Sequence, residues 1–133
     1  MSTEILAGLA EQVRSAASDQ RPVLIRGGDT KAFYGNPFVP NGVAPVIMDM
    51  RCLKAIVNYQ PSELVVTALA GTPLQEVVET LDASGQMLAF EPPAFGAGAT
   101  VGGCVSAGLS GPGRLAAGPL KDFVLGAHLL DAQ

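Results

Sequence analysis

The chain has 133 residues, the length of a single compact domain, and carries 12 acidic against 8 basic side chains, a net charge of -4. This balance, without any basic run, excludes a nucleic-acid partner, because phosphate backbones are bound by clustered lysine and arginine. The N-terminus lacks the pattern of a signal peptide, and no apolar run is long enough for a transmembrane segment, so we expect a cytoplasmic protein. With two cysteines and one histidine, no four-ligand zinc site is expected.

Glycine and proline are unusually frequent, at 16 and 10 residues, yet hydrophobic residues still make up 48% of the chain. A disordered Gly/Pro-rich chain would lack those hydrophobic residues, so the glycines are expected in ordered loops between packed elements. Twelve of the glycines fall in two stretches, 27–42 and 96–118. These two stretches are therefore the candidate functional loops.

The elements of the first half follow from the spacing of apolar residues. Helical periodicity indicates an amphipathic helix at the start, and short β-branched runs bounded by turn residues indicate strands. In chain order, the pattern predicts a helix over 3–18, a buried strand over 23–26, a second strand over 46–50, and a hairpin-like pair over 55–59 and 64–69.

The next helix has the clearest start in the chain. Thr72 is predicted as its N-cap, with Pro73 at the first helical position and Gln75 completing a capping box. Its predicted core-facing residues are Leu74, Val77, Val78 and Leu81, and Gly85 is its predicted stop. Further strands are predicted at 87–90 and 123–130. Helices and strands are interleaved, so the class is α/β or α+β.

The first glycine-rich stretch directly follows a predicted strand. Gly27 and Gly28 permit positive φ and leave bare N–H groups that can converge on an anion. Thr30 can add a hydroxyl donor and Lys31 a positive charge, so the loop suits a phosphate or pyrophosphate. An ordinary tight turn is the alternative, and the Gly-Lys-Ser/Thr ending of a Walker A loop is missing.

The second stretch, 92–119, holds one charged side chain, Arg114, and is otherwise mostly small. Because surface loops are normally polar, we expect this segment to be buried against something flat and close. Thr100 can cap a short helix whose exposed N–H groups would face a negative group. The glycine spacing over 96–102 is one residue too long for a Rossmann fingerprint. A tightly packed structural loop is the alternative.

Together the two motifs carry a resemblance. A strand ending in Arg-Gly-Gly (26–28) and Thr-Lys (30–31), followed later by Ala-Thr-Val-Gly-Gly (99–103) and Ser-Gly (110–111), resembles the FAD-binding domain of the vanillyl-alcohol oxidase family. This family is also called the p-cresol methylhydroxylase (PCMH) type. Within it, the chain looks like the E subunits of bacterial glycolate oxidases, notably over 119–126.

The resemblance implies an α+β fold of the PCMH type, a small mixed or parallel sheet with flanking helices and an incomplete second subdomain. Residues 1–133 would be the N-terminal part of that domain, without the substrate domain. The implied function is the FAD-binding portion of an enzyme that oxidises a 2-hydroxy acid to a 2-oxo acid, with hydride passing to the flavin. The implied partners are other glycolate oxidase-type subunits, including an iron-sulfur subunit, and the isolated chain is expected to be inactive.

The resemblance also assigns cofactor-binding residues, although no catalytic residue and no metal ligand. The first loop would wrap the FAD pyrophosphate through Gly27, Gly28, Asp29, Thr30 and Lys31. The second glycine-rich stretch would line the flavin through Thr100, Gly102, Gly103, Ser106, Ser110 and Gly111. Covalent attachment in the family often uses a histidine of the first loop, and none is present there, so noncovalent FAD is implied.

Two departures from the family pattern and two rival functions stand beside this hypothesis. Gly108 replaces an Asn found in many members, and Arg114–Gly118 lacks a tyrosine found in many others. The first rival is a noncatalytic interaction or assembly subunit that docks through 92–119, with homo-oligomers possible. The second rival is a small phosphate-binding protein unrelated to flavin.

Several single residues have a structural as well as a functional interpretation. Cys52 and Cys104 are expected to be small buried hydrophobic residues. His128 is expected to be a structural or partly exposed residue of an apolar strand, with a proton carrier near neutral pH as the alternative. Arg114 could offset phosphate or flavin charge, or form a salt bridge with Asp122.

Overall fold

The computed structural model describes residues 3–36 and 42–131. Four α-helices and four short strands, joined by 3-10 turns and loops, make up the described part of the chain. In chain order they are α1 (Thr3–Ser18), β1 (Val23–Arg26), β2 (Val46–Asp49), β3 (Ile56–Gln60), β4 (Val65–Ala68), α2 (Leu74–Asp82), α3 (Val101–Ala107) and α4 (Arg114–Ala117).

The strands form two two-stranded sheets. β1 and β2 pair in parallel, with Val23 opposite Val46. β3 and β4 pair antiparallel around the 3-10 turn Pro61–Glu63, with Gln60 opposite Val65. The predicted helix over 3–18, the first two strands and the hairpin-like pair are therefore confirmed, and the fold is α+β with small parallel and antiparallel sheets.

Two hydrophobic clusters hold these elements together. In the first, Leu9 of α1 packs with Met48 of β2 and with Leu53. The second lies where α2 and α3 meet the loops between and after them, and its buried members are Leu74, Phe90, Ala99, Cys104 and Leu120. The second cluster places both ends of the second glycine-rich stretch beside α2.

A 3-10 turn, Met50–Cys52, ends the strand β2. The Asp49 carboxylate accepts hydrogen bonds from both the backbone N–H and the guanidinium of Arg51. The side-chain hydrogen bond from Arg51 is the main reason that the pKa of Asp49 falls to about 2. The carboxylate is thus kept charged at the point where the chain leaves the first sheet.

The start of α2 differs from the sequence prediction. Thr72 is fully buried, and its hydroxyl accepts from the N–H of Ala55 (3.0 Å) and donates to the carbonyl of Ala55 (2.9 Å). No side chain caps the helix, so the predicted capping box is wrong. The hydroxyl does not cap α2, because it forms two hydrogen bonds with the backbone of Ala55 instead of a single capping bond. Gly85 ends the turn after α2 with φ +66°, as predicted.

Two expectations about buried residues are wrong. Val78 is exposed, although Leu74, Val77 and Leu81 are buried as predicted. The first strand is not buried, since Ile25 is 68% exposed.

Residues 87–90 and 123–130 form no strand. The β-propensity of 123–130 is not realised, because no strand of the described part pairs with it.

No helix in the described ranges is both long and apolar enough to cross a bilayer.

Candidate cofactor site

The two glycine-rich stretches meet in the folded chain. A Cβ added to Gly28 would lie 1.5 Å from the carbonyl oxygen of Gly98, and one added to Gly27 would lie 2.4 Å from the hydroxyl of Thr100. Neither glycine is needed for positive φ. Both are needed because the two backbones approach so closely that any side chain would push the loops apart.

Side chains of the first loop strengthen this contact. The Lys31 ammonium lies 3.5 Å from the carbonyl oxygen of Ala94, as a hydrogen-bond donor, and 5.8 Å from the centre of the Phe95 ring. The Phe33 ring packs edge-on against Phe95, with ring centres 5.2 Å apart. The methyl group of Thr30 faces Gly96. The first loop is thus fixed along 94–100.

The meeting point presents backbone donors. Within the described part of the chain, the N–H groups of residues 27–31 and 96–98 donate to no protein acceptor. Asp29 has φ +59°, and its carbonyl accepts from the N–H of Ala32, which closes the turn. We call residues 27–31 together with 96–98 the phosphate cradle, because clustered free N–H groups are the usual protein site for a phosphate.

The charge of the cradle is mixed. Arg26 and Asp29 lie 3.7 Å apart, so one positive and one negative side chain partly offset each other at its edge. Lys31 forms no ion pair in the described ranges and keeps its charge available. The positive charge of Lys31 beside these backbone N–H groups favours an anionic ligand.

The N-terminus of α3 lies beside the cradle. The Thr100 hydroxyl accepts from the N–H of Gly103 at 3.2 Å, which confirms the predicted N-cap. However, the N–H of Val101 donates to the carbonyl of Thr72 (2.9 Å) and that of Gly102 to the carbonyl of Ala70 (2.7 Å). The expectation that these N–H groups face a negative group is therefore wrong, because the chain before α2 supplies their acceptors.

Gly102 is placed for packing. A Cβ there would lie 2.9 Å from the side chain and the carbonyl oxygen of Ala70. Gly102 thus joins α3 to the chain before α2, Gly103 bonds to Thr100, and Thr100 also touches Gly27 of the cradle. Their predicted contact with a flavin stays a prediction.

The remaining predicted residues lie beyond the cradle. Ser106 is exposed near the end of α3, which finishes at Gly108 with φ +64°. The Ser110 hydroxyl accepts from the N–H of Leu120 at 3.0 Å, and Gly111 donates to the carbonyl of Phe90 at 2.9 Å. We call residues 110–118 the second loop. The assignment of its serine and glycine to flavin binding likewise stays a prediction.

The second stretch is less buried than predicted. Ala99, Thr100 and Cys104 are buried, but Phe95 is 55% and Leu115 is 98% exposed. The expectation that the whole segment is buried is therefore wrong, because side chains such as that of Leu115 face solvent.

The single residues with two interpretations are now placed. Cys104 is buried, and burial raises the pKa of its thiol, whereas Cys52 is exposed, so its predicted burial is wrong. Cys52 lies at the end of the 3-10 turn, where its thiol donates to the carbonyl of Asp49. His128 lies in the exposed, irregular 123–130 segment rather than in a strand. In the ranges described, no salt bridge joins Arg114 to Asp122.

Metal-ligating side chains are scattered. No group of three His, Cys, Asp or Glu side chains in the described part lies close enough together to hold a metal ion.

An open groove of about 510 Å³ begins at the cradle. It runs from Gly96 and Ala97 along the exposed side of α2, and its walls include Val78, Met87 and Glu91. Neither Gly98 nor Glu91 is predicted as a site residue from the sequence. The Gly-x-Gly spacing at 96–98 is a sequence signal for the first, whereas nothing in the sequence marks Glu91.

Comparison with known proteins decides the family. A family model described as an FAD binding domain matches residues 6–133, nearly the whole chain. The chain belongs to this FAD-binding domain family. FAD is therefore its cofactor, and the family resemblance found in the sequence is confirmed.

A curated relative gives a finer likeness. The chain is 48% identical over 122 residues to a protein named glycolate oxidase subunit GlcE, from Escherichia coli (strain K12). The alignment covers 92% of this chain but 33% of that protein, so the chain spans about a third of the relative's length.

Solved structures confirm the fold. Two structures of alkyldihydroxyacetonephosphate synthase match with a TM-score of 0.67 and 21% sequence identity. The matches cover 86% and 87% of this chain and 21% and 22% of the synthase chains. At this identity the match shows the fold alone, which is that of the PCMH-type FAD-binding domain.

Proposed function

We propose that this chain holds FAD noncovalently, with the diphosphate in the phosphate cradle, as the N-terminal part of the FAD-binding domain of a 2-hydroxy-acid oxidoreductase. The observation that carries the proposal is that the N–H groups over 27–31 and 96–98 find no acceptor in the described part of the chain, at the point where Gly28 meets Gly98. When bound, FAD supplies hydride acceptance, and the protein binds and orients it.

The cradle residues fit a diphosphate. The N–H groups of the first loop would donate to phosphate oxygens, and the missing Cβ atoms at Gly27 and Gly28 let Gly98 and Thr100 pack directly against that loop. Lys31 contributes a positive charge, and the Thr30 hydroxyl is an additional donor. Asp29 presents its N–H from a left-handed backbone conformation.

The mode of attachment follows from the same loop. No histidine is present in residues 25–35, and Cys104 is buried with a raised thiol pKa. The first loop therefore lacks the histidine through which members of the family often attach flavin covalently, which supports noncovalent binding.

The wider activity rests on the likeness to the E. coli glycolate oxidase subunit. In this proposal the complete protein oxidises glycolate or a similar 2-hydroxy acid to the 2-oxo acid, with hydride passing to the flavin. It does so in the cytoplasm as one of several subunits, and an iron-sulfur subunit receives the electrons. The substrate domain lies outside residues 1–133, and this chain supplies no catalytic residue.

The proposal is tested by the retention of FAD on gel filtration. We expect the purified chain, mixed with FAD, to elute with the flavin absorption bands, and Gly28→Ala to elute without them, because the new Cβ would overlap the carbonyl of Gly98. Gly8→Ala is the matched control, since a Cβ at Gly8 in α1 would contact nothing within 4 Å.

Two results would contradict the proposal. Wild-type protein that elutes without flavin bands does not bind FAD as this chain. Gly28→Ala that retains FAD as well as Gly8→Ala does would show that the flavin binds away from the cradle.

A second candidate function, an assembly subunit that docks through 92–119, is favoured by the exposure of Phe95 and Leu115. Light scattering with and without FAD separates the two candidates. A dimer whose mass is independent of FAD supports assembly, whereas a monomer that binds FAD supports the first proposal.

A further inference from the structure

Glu91 makes an unusual contact for an exposed side chain. One of its carboxylate oxygens, Oε2, accepts a hydrogen bond from the backbone N–H of Gly113 at 2.5 Å. Its own backbone is left-handed, with φ +48°. The preceding residue, Phe90, is buried and accepts the N–H of Gly111. Two consecutive residues thus hold two glycines of the second loop.

The glycines at 111 and 113 fit this contact closely. A Cβ at Gly111 would lie 2.6 Å from the carbonyl oxygen of Glu91, and one at Gly113 would lie 2.7 Å from Oε2 of Glu91. Neither glycine has the positive φ that would otherwise require it. The backbone of Glu91 therefore makes glycine necessary at position 111, and at position 113 the carbonyl oxygen of Ala89, 3.0 Å from a Cβ there, adds to the close contact with the Glu91 carboxylate.

The start of the second loop is hydrogen-bonded to the segment that follows its end. At its start, the Ser110 hydroxyl accepts from the N–H of Leu120, and Leu120 is buried beside Phe90 in the second core cluster. Between these ends Leu115 is almost fully exposed. The Glu91 carboxylate therefore fixes the part of the loop that leads into the exposed helix α4.

Glu91 also lies between the second loop and the cradle. Its side chain lines the groove that begins at Gly96 and Ala97. A residue in this place can set the distance between the diphosphate site and the second loop without touching the diphosphate.

We propose that Glu91 is a positioning residue that holds the second loop in place for the flavin part of FAD. The inference rests on the proposed function, including the predicted contact of Ser110 and Gly111 with the flavin. It adds that the Glu91 carboxylate controls affinity for FAD but not for ADP, which carries the diphosphate and lacks the flavin.

The test uses the chain of residues 1–133 with three variants. Glu91→Ala removes the acceptor, Glu91→Gln keeps an oxygen that can accept from Gly113, and Glu63→Ala in the exposed turn between β3 and β4 is the matched control. Affinities for FAD and for ADP are measured by fluorescence or calorimetric titration. Trypsin cleavage after Arg114 reports the order of the second loop directly, with cleavage after Arg51 as the internal reference.

We expect Glu91→Ala to weaken FAD binding by about tenfold, the size expected for loss of a hydrogen bond to a charged group, with ADP affinity unchanged. Cleavage after Arg114 should accelerate relative to cleavage after Arg51. Glu91→Gln should recover most of the FAD affinity and the slow cleavage, and Glu63→Ala should match the wild type.

Three results would overturn this inference, and they are distinct from failure of the proposed function. These are unchanged FAD affinity in Glu91→Ala, equal losses for FAD and ADP, or no recovery in Glu91→Gln. If the wild-type chain binds neither FAD nor ADP, the proposed function fails and the role of Glu91 in cofactor binding fails with it.

Discussion

The glycines of this chain act in two physically different ways. At Gly85 and Gly108 the backbone is left-handed, which side chains disfavour. At Gly28 and Gly102 the φ angles are ordinary, and the side chain is excluded by another backbone or a neighbouring residue. The first kind ends helices, and the second kind lets the loops and α3 lie directly against their neighbours.

The two cysteines give a test at the residue scale. At pH 8 we expect N-ethylmaleimide to modify Cys52 and leave Cys104 unmodified in the folded chain. Thiolate is the reactive form, and burial both shields Cys104 and raises its pKa, so less thiolate forms there at a given pH. Mass spectrometry of peptides should show one adduct without urea and two in concentrated urea. Equal rates at both positions in the folded chain would contradict the placement of Cys104.

Residue identity alone did not distinguish these cysteines. Both were expected to be buried as small hydrophobic residues, although Cys52 directly follows Arg51. Their environments differ because Cys104 faces Leu74 and Phe90 from α3, whereas Cys52 lies in an exposed turn. Contacts between segments distant in sequence decide such cases.

At the scale of elements, α2 is held by a buried threonine at its start. The Thr72 hydroxyl satisfies both the N–H and the carbonyl of Ala55, and the Thr72 carbonyl accepts from the N–H of Val101. One residue therefore joins three segments: the chain before β3, the start of α2 and the start of α3.

Replacing this hydroxyl should destabilise the fold. We expect Thr72→Val to lower the free energy of unfolding by about 2 kcal/mol, because the shape is kept while the two polar groups of Ala55 lose their partner. Thr67→Val in β4 is the matched control, since Thr67 is exposed and its change should stay within about 0.5 kcal/mol. Urea unfolding followed by circular dichroism measures both. A Thr72→Val variant as stable as Thr67→Val would contradict this role.

The elements were predictable where the local pattern and the tertiary contacts agree. α1 shows helical spacing and packs on β2 through Leu9, and the turn at 61–63 separates two β-branched runs that pair with each other. The segment 123–130 has the same strand-like composition but remains irregular, because a strand needs a hydrogen-bonded neighbour that sequence composition does not supply.

At the scale of the whole molecule, ligand binding should be visible as stabilisation. A ligand at about 100 times its dissociation constant stabilises the folded state by about 2.7 kcal/mol, which for a chain of this size raises the melting temperature by about 10 °C. We expect FAD to give such a shift, ADP a smaller shift and riboflavin little change, because the cradle recognises the diphosphate. Differential scanning fluorimetry with an extrinsic dye, or calorimetry, measures these shifts.

The three ligands also separate the remaining hypotheses. Equal stabilisation by FAD and ADP would favour the small phosphate-binding protein over a flavoprotein. Stabilisation by riboflavin equal to that by FAD would place recognition outside the cradle and contradict the proposed site.

The family and the cofactor could be predicted from the sequence, because the two glycine motifs that carry the resemblance are local features, and the family model that matches residues 6–133 agrees. The N-cap at Thr100 was predictable for the same reason, since a cap depends on neighbouring residues. The contacts between the two motifs depend on the tertiary structure. Only the folded chain brings Gly28 against Gly98, fills the N-terminus of α3 with carbonyls from 70 and 72, and places Glu91 on Gly113. These contacts join segments separated by tens of residues, and no local pattern encodes them.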